Sequence, residues 1–326
     1  MLKPSGYVLL LVLVSTAAFG YRLRTGIFAC PAAGEGDGEL YLAYCHGETY
    51  GDYDHGAFWF GLEPAVRDNA AQADVLFLGS SRLQFAFSTG ATSAWFQARS
   101  LRHYLLGFGY TESVTFVAPL VARLRPHASA YVINVDRFFT DNESPPGAEI
   151  LHGEDVALRK YEDKRRWQRA HDTACGAVGA LCGDELAFFR RPGDGHWRVG
   201  GHAQGGVAFV PADVSDGPPG DTGRWDAFAA IADRFVRALP VDRRCVTLTL
   251  VPYAGTRRAE AEAIARALGT DLVTPAVSDL RTFDGSHLDE ASAERWSAAF
   301  FEMAGPRIEP CTARAKSASA ARGIDR

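Results

Sequence analysis

Two short segments of the chain combine the residue types that carry out serine-hydrolase chemistry. Ser81 follows the apolar run 74–78 (DVLFL) and Gly79, a pattern typical of a buried strand that ends in a tight turn. Asp284 and His287 stand three residues apart in FDGSHL, just before a predicted helix. This spacing places a carboxylate against one imidazole nitrogen and leaves the other nitrogen to take a proton from serine. We therefore predict that these three side chains form a triad for acyl transfer.

Each segment also has a purely structural interpretation. Ser80 and Ser81 could form a turn or cap a helix, because serine is a favoured N-cap residue. Asp284 could be the N-cap of the following helix, with His287 exposed at the surface. The joint occurrence of the two segments, in this order and far apart in the chain, favours the catalytic interpretation.

The two segments resemble the first and last blocks of the SGNH/GDSL hydrolase family. In that family a variant of Gly-Asp-Ser ends the first strand, and Asp-x-x-His precedes the C-terminal helix. Gly79-Ser80-Ser81 and FDGSHLDEASAERWSAAF match these blocks. The resemblance implies a Ser81 nucleophile, a His287 base oriented by Asp284, and no cofactor. The residues of the first block look closest to those of the membrane-associated bacterial branches of the family, some of which act on acylated cell-envelope polymers.

The blocks that supply the family's oxyanion hole match less well. The second block of the family is Asn-x-Gly. In YLLGFGY the asparagine position is occupied by Leu105 and the glycine position by Gly107. The third is Gly-x-Asn, and AYVINVDRFF offers Asn134 or Asp136 without the glycine. The expected oxyanion donors are the Ser81 and Gly107 backbone N–H groups and Asn134. Because such donors usually contribute most to catalysis, the departures favour an alternative, a non-catalytic envelope protein that binds a glycan or a membrane partner.

Other charged residues near these segments could also bind a ligand. Arg82 follows the serine, and its planar guanidinium suits a carboxylate or phosphate of the substrate, with a salt bridge to an insertion carboxylate as the alternative. His46, Asp52, Asp54 and His55 are of metal-ligand type and crowd into CHGETYGDYDHG. Their spacing matches no metal motif, so we expect a structural loop and no metal site.

The N-terminus indicates export. Residues 1–20 contain Lys3 and then an uncharged apolar run at 7–19, which is shorter than the roughly 20 residues of a membrane span. This pattern is typical of a signal peptide. An uncleaved signal anchor is the alternative, because Arg22 and Arg24 follow directly. We expect a protein outside the cytoplasm, either periplasmic or anchored to the membrane.

The cysteines agree with export, since an even number in an exported chain predicts disulfides. Proximity in sequence favours two disulfides between neighbouring cysteines, and the two remaining cysteines would form a third. The sequence alone does not fix this connectivity. The pairs are Cys30 with Cys45, Cys175 with Cys182, and Cys245 with Cys311.

Composition and motifs exclude several functions. A chain of 326 residues with 47% hydrophobic and 22% charged residues can bury a large core. Its net charge of -5 provides no basic surface for nucleic acid. Neither a P-loop nor a GxGxxG in a suitable βαβ unit occurs, so nucleotide chemistry has no support.

Apolar runs that alternate with amphipathic stretches predict an α/β fold. Strands are expected at 74–78, 130–135, 245–251 and 272–273, and helices at 113–124, 225–239, 257–268 and 288–303. We predict a doubly wound, mostly parallel sheet in a three-layer α/β/α sandwich of flavodoxin-like type. The predicted order is a disulfide-stapled irregular arm (21–70), a hydrolase domain (71–311) with an irregular insertion (141–220), and a disordered basic tail (312–326). Asp194-Gly195 predicts a hairpin within the insertion.

The sequence therefore predicts an exported esterase or O-acyltransferase. The expected substrate is a small ester or an acylated carbohydrate of the cell envelope, carrying a short acyl group. A partner subunit for an integral-membrane acyltransferase is a further alternative, which an uncleaved anchor would favour.

Overall fold

The computed structural model describes most of the chain as alternating strands and helices. The described residues are 4–23, 26–33, 40–46, 50–201, 206–209 and 222–323. The strands are β1 (Tyr41–Cys45), β2 (Gly51–Asp52), β3 (Val75–Ser80), β4 (His103–Phe108), β5 (Ala130–Asn134), β6 (Ala187–Arg190), β7 (Trp197–Gly200), β8 (Val207–Ala208), β9 (Val246–Thr249), β10 (Leu272–Val273) and β11 (Arg281–Thr282). The helices are α1 (Pro4–Leu23), α2 (Asp54–Phe60), α3 (Pro64–Ala71), α4 (Ser81–Phe87), α5 (Gly90–Gln97), α6 (Val114–Leu124), α7 (Pro145–His152), α8 (Glu154–Ala177), α9 (Thr222–Ala238), α10 (Arg258–Leu268) and α11 (Glu290–Gly323).

The central sheet has five parallel strands in the order β10-β9-β5-β3-β4. Numbered along the chain, this is the doubly wound order 2-1-3-4-5, whose topological switch point lies between its first and third strands. Here those strands are β3 and β5. The prediction of a mostly parallel α/β sheet is confirmed, and ligands of such sheets bind beyond the carboxyl ends of the strands at the switch point.

Helices cover both faces of the central sheet. Successive residues of a strand point to opposite faces, and β3 accordingly sends Leu76 and Leu78 into one apolar cluster and Val75 and Phe77 into another. The first cluster includes side chains of α6, α9 and α10, and the second includes side chains of α4, α5 and α11. The result is a three-layer arrangement that explains why the β3 sequence is continuously apolar.

A second, smaller sheet corrects the prediction that the arm and the insertion are irregular. It is antiparallel, in the order β2-β1-β6-β7. The arm supplies β1 and β2, and the insertion supplies β6 and β7. We call it the accessory sheet. The arm also forms α2 and α3, and α8 of the insertion packs on α2. The pairing of β1 with β6 joins residues more than a hundred positions apart, so local sequence patterns carry little information about it.

Several local predictions agree with the structure. The hairpin expected at Asp194-Gly195 joins β6 to β7, and Gly195 adopts φ +77°, a conformation that favours glycine. Helix α6 begins at Val114 and contains Pro119. Residues 202–205 and 210–221, which include part of the predicted insertion, lie outside the described residues.

Three disulfides join the pairs that proximity favours. They link Cys30 to Cys45, Cys175 to Cys182, and Cys245 to Cys311. The first ties the segment before the accessory sheet to the end of β1, and the third ties the start of β9 to α11. Such bonds are typical of an exported protein, because they form in oxidising compartments.

The chain ends differ in part from the predictions. Helix α11 continues to Gly323, so residues 312–323 are helical rather than disordered. Alanine, which is frequent there, has the highest helix propensity. At the other end, α1 exposes the apolar side chains of residues 7–14. Among the described helices, none combines the length and apolar content needed to span a bilayer. Signal cleavage remains a prediction.

Candidate active site

The two serines after β3 have different roles. Ser80 is the N-cap of α4, and its Oγ accepts a hydrogen bond from the Arg82 backbone N–H at 3.4 Å. Ser81 is the first residue of the helix, and its Oγ lies 2.8 Å from Nε2 of His287. The capping interpretation is therefore correct for Ser80. Ser81 lies beyond the carboxyl end of β3, beside the switch point.

A continuous hydrogen-bonded chain joins the predicted triad residues. Nδ1 of His287 lies 2.6 Å from Oδ2 of Asp284. Oδ1 of Asp284 accepts the backbone N–H groups of Ser286 and His287 at 2.9 and 2.8 Å. Burial alone would raise the pKa of Asp284, but the bond to His287, its charge and the two N–H groups together lower the pKa below its usual value. The N-cap of α11 is instead Asp289, whose Oδ1 accepts the Ser292 N–H at 2.8 Å.

Aromatic rings hold the imidazole in place. Phe283 stacks on His287 with ring centroids 5.6 Å apart, and Phe85 lies 4.9 Å from the same ring. Phe85 is four residues after Ser81 on α4, so the helix that presents the serine also packs against the histidine. The side chain of His287 is 16% exposed, which leaves one side of the site open to solvent.

A cavity of about 250 Å³ adjoins the triad, and its lining is predominantly apolar. The three triad residues line it together with aromatic, aliphatic and acidic side chains from the accessory sheet and neighbouring segments. The lining comprises Tyr44, Asp52, Asp54, Ser81, Gly109, Tyr110, Leu186, Phe188, Trp197, Asp284 and His287. The structure thus combines the predicted triad with a concave, aromatic-rich site of the type that binds small molecules.

Two predicted oxyanion donors lie outside the lining of this cavity. The Gly107 N–H donates to Oε1 of Gln84 at 3.0 Å, and a Cβ at Gly107 would lie 2.7 Å from the Ser80 carbonyl oxygen. This glycine therefore serves close packing between β4 and the serine turn. Asn134 is fully buried, and its Oδ1 accepts the Val251 N–H at 3.1 Å.

Gly109 is the residue that the sequence analysis missed. It follows β4 directly and lines the cavity beside Ser81. The available signal was the second glycine of YLLGFGY, two residues after Gly107. Alignment to the family block selected the first glycine, which lies inside the strand.

Arg82 lies in an internal ion pair and outside the cavity lining. Its guanidinium pairs with the buried carboxylate of Asp136, at the carboxyl end of β5. Nε donates to Oγ of Ser286 at 3.1 Å, and the guanidinium lies 3.9 Å from the centre of the Tyr253 ring. The carboxylate partner lies just after β5 and not in the insertion. Arg82 thereby connects α4 to the loop that carries Asp284 and His287.

The suspected metal-ligand cluster forms two internal ionic networks. His55 lies between Asp52 and Glu112, at 2.8 and 2.7 Å from their carboxylates. Burial alone would lower the pKa of His55, but the two carboxylates raise the pKa to about 10. Asp54 pairs with the fully buried Arg190, with Nη2 of Arg190 2.6 Å from Oδ2 of Asp54. In the structure, Asp52, Asp54 and His55 are thus members of buried ion pairs.

Two other groups in the described part of the chain have the composition of a metal site. His103, Asp194 and His196 place their ligand atoms within 4.8 Å of one another. The two imidazoles share a hydrogen bond of 2.9 Å between Nε2 atoms, and burial lowers the pKa of His103 to about 3. In the second group, His171 adjoins Cys175 and Cys182, whose sulfurs form a disulfide. The hydrogen bond and the disulfide already account for these contacts.

Comparisons of the chain with protein-family models, curated proteins and solved structures found no match. Function is therefore argued from the geometry of the site.

Proposed function

We propose that the protein is a serine acyl hydrolase or O-acyltransferase of the SGNH/GDSL type. The observation that carries the proposal is the hydrogen-bonded chain from Ser81 through His287 to Asp284, at 2.8 and 2.6 Å, in the lining of a cavity. These distances lie within the range that proton transfer requires. The 2-1-3-4-5 strand order and the position of the serine after the first parallel strand also support it.

The proposed reaction has two acyl-transfer steps. Ser81 Oγ attacks an ester carbonyl while Nε2 of His287 takes its proton, and Asp284 holds the imidazole in the required tautomer. The Ser81 and Gly109 backbone N–H groups are the proposed donors to the developing oxyanion. Collapse releases the alcohol with the proton from His287. Water or a sugar hydroxyl then attacks the acyl ester on Ser81 while His287 takes its proton. The bond to Oγ breaks, Oγ regains the proton from His287, and the acid or the new ester is released.

The finer assignment of substrate and compartment rests on family resemblance and on the disulfides. We propose a short acyl ester of a cell-envelope carbohydrate, handled outside the cytoplasm in the periplasm or at the membrane surface. The three disulfides support an oxidising compartment. An anchored protein, or one that serves a membrane acyltransferase, would use the same site.

A non-catalytic binding protein is the second candidate. Two observations favour it: the Gly107 N–H already donates to Gln84, and neither Gly107 nor the fully buried Asn134 lines the cavity. In that case the cavity would bind a glycan without turnover.

Ester hydrolysis by the purified disulfide-bonded protein separates the two candidates. We expect p-nitrophenyl acetate and butyrate to be hydrolysed by the wild type and by Ser278→Ala, an exposed serine control, but not by Ser81→Ala. An alkyl fluorophosphonate should form a covalent adduct on Ser81, detected by peptide mass, even if the enzyme is a strict transferase. Equal rates for wild type and Ser81→Ala, together with no adduct, would leave the binding protein as the better assignment.

A further inference from the structure

The accessory sheet places a row of stacked aromatic rings beside the triad. We define the aromatic wall as Tyr44 of β1, Phe188 of β6 and Trp197 of β7. Tyr44 stacks on Phe188 with ring centroids 5.4 Å apart, and Phe188 stacks on Trp197 at 5.3 Å. Antiparallel pairing of β1 with β6, and of β6 with β7, sets these positions. The wall is thus built from the arm and the insertion and not from the central sheet.

The aromatic wall reaches the reacting residues through Phe85. The Phe85 ring lies 5.0 Å from Phe188 and 5.4 Å from Trp197, both edge-on, and 4.9 Å from His287. A group bound against the wall therefore begins next to Ser81. Leu186 also lines the cavity.

The acidic residues of the lining are already satisfied by other groups. The Asp52 carboxylate binds His55 at 2.8 Å and Tyr161 at 3.1 Å. The Asp54 carboxylate binds Arg190 and also accepts the Tyr41 hydroxyl at 2.5 Å. Each carboxylate has a cationic partner, so neither offers an unpaired charge to a ligand. The indole Nε1 of Trp197 is a buried donor with no partner among the described residues, so it could donate one hydrogen bond to a ligand. The rings of the wall offer a hydroxyl-rich ligand few replacements for its other hydrogen bonds to water, so its entry is unfavourable.

We propose that the aromatic wall and Leu186 form a binding site for the linear acyl chain of the ester. This inference rests on the proposed function and adds that the accessory sheet selects the acyl group. A water molecule accounts for about 30 Å³, so a cavity of about 250 Å³ admits roughly eight non-hydrogen atoms. The site fits chains from acetyl to about hexanoyl or octanoyl.

The test measures binding separately from catalysis. Methyl n-alkyl ketones of four to ten carbons are titrated into Ser81→Ala protein and followed by calorimetry. We expect affinity to rise about fourfold per methylene, because burying one is worth about 0.8 kcal/mol, until the cavity is full. Leu186→Trp, which fills the cavity, should weaken 2-octanone binding at least tenfold. Val156→Trp, the matched change at an exposed position on α8, should leave it unchanged.

The outcomes distinguish this inference from the proposed function. Ketone affinity that does not depend on chain length, or that Leu186→Trp leaves unchanged, would overturn the acyl-chain site even if Ser81 hydrolyses acetyl esters. Tighter binding of glucose or N-acetylglucosamine than of 2-octanone would also overturn it. Chain-length-dependent binding by a protein whose wild type shows neither Ser81-dependent hydrolysis nor a fluorophosphonate adduct on Ser81 would support the apolar site and refute the proposed function alone.

Discussion

Arg82→Met tests whether the residue after the nucleophile stabilises the fold or binds substrate. The Asp136 side chain is fully buried, and its second oxygen, Oδ1, has no hydrogen-bond partner among the described residues. Arg82 therefore supplies the compensating positive charge. Removing one member of a buried ion pair leaves an uncompensated charge and costs about 3–5 kcal/mol. We expect the free energy of unfolding of Arg82→Met to fall by that amount.

Urea unfolding measures this loss directly, and melting temperature should fall on the order of 10 °C. The double variant Arg82→Met/Asp136→Leu removes both charges and should recover most of the stability. Activity should not recover with it, because the bond from Nε to Ser286 is still absent. Hydrogen bonds from charged groups contribute about 1.5–3 kcal/mol, so kcat in both variants should fall about tenfold or more as the Asp284–His287 loop loosens.

A substrate-binding Arg82 would behave in the opposite way. The single variant would then unfold within about 0.5 kcal/mol of the wild type, as surface substitutions do. Its KM would rise for anionic esters and stay constant for neutral ones. That combination would refute the ion-pair argument and restore the role predicted from the sequence.

Three further predictions concern the triad, pH and the disulfides. Asp284→Asn should lower kcat/KM by about 10⁴ with unchanged unfolding, since an amide favours the wrong imidazole tautomer; a loss below tenfold would contradict this. Melting temperature should peak near pH 6.5. Burial lowers the pKa of His103 to about 3, so its contribution to stability is lost as the pH falls below about 6.5, the usual pKa of histidine. Burial alone would lower the pKa of His55 as well, but its carboxylate neighbours raise that pKa to about 10, so its contribution is lost as the pH rises above about 6.5. A melting temperature that is constant from pH 5 to 8 would contradict this prediction. The double variant Cys245→Ser/Cys311→Ser removes a disulfide that closes a loop with a sequence separation of 66. The free energy of unfolding, measured in urea, should fall by about 4 kcal/mol, and a fall below about 1 kcal/mol would show that the bond contributes little.

The central sheet and the triad positions were predictable because their signals are local. A strand that is buried on both faces has a continuously apolar sequence. Such apolar runs occur at the positions of β3, β5 and β9. The aspartate and histidine of the last block are three residues apart, so one turn brings them together. The contact between Ser81 and His287 is long-range. It could be predicted only because the family resemblance gave both segments together.

The accessory sheet and the cavity could not be predicted in the same way. Strand β1 pairs with β6, and Tyr44 meets Phe188 across about 140 residues of chain. No periodicity in either strand identifies the other, and strand preference depends strongly on the neighbours that pairing provides. The long-range partners of His55 and Asp54 could not be recognised either, because Glu112 and Arg190 are distant in sequence.

The division between the two sheets has a consequence for how activity and selectivity are encoded. The proposed nucleophile, base and orienting acid come from segments at the carboxyl edge of the central sheet, whereas the wall proposed to bind the acyl chain comes from the accessory sheet. The bond between Cys30 and Cys45 constrains β1, which carries Tyr44, without touching the triad. Changes in the arm or the insertion can therefore alter which acyl group binds while leaving the hydrogen-bonded triad in place. Phe85 is the exception, because its ring contacts both the wall and the imidazole, so substitutions there should change selectivity and turnover together.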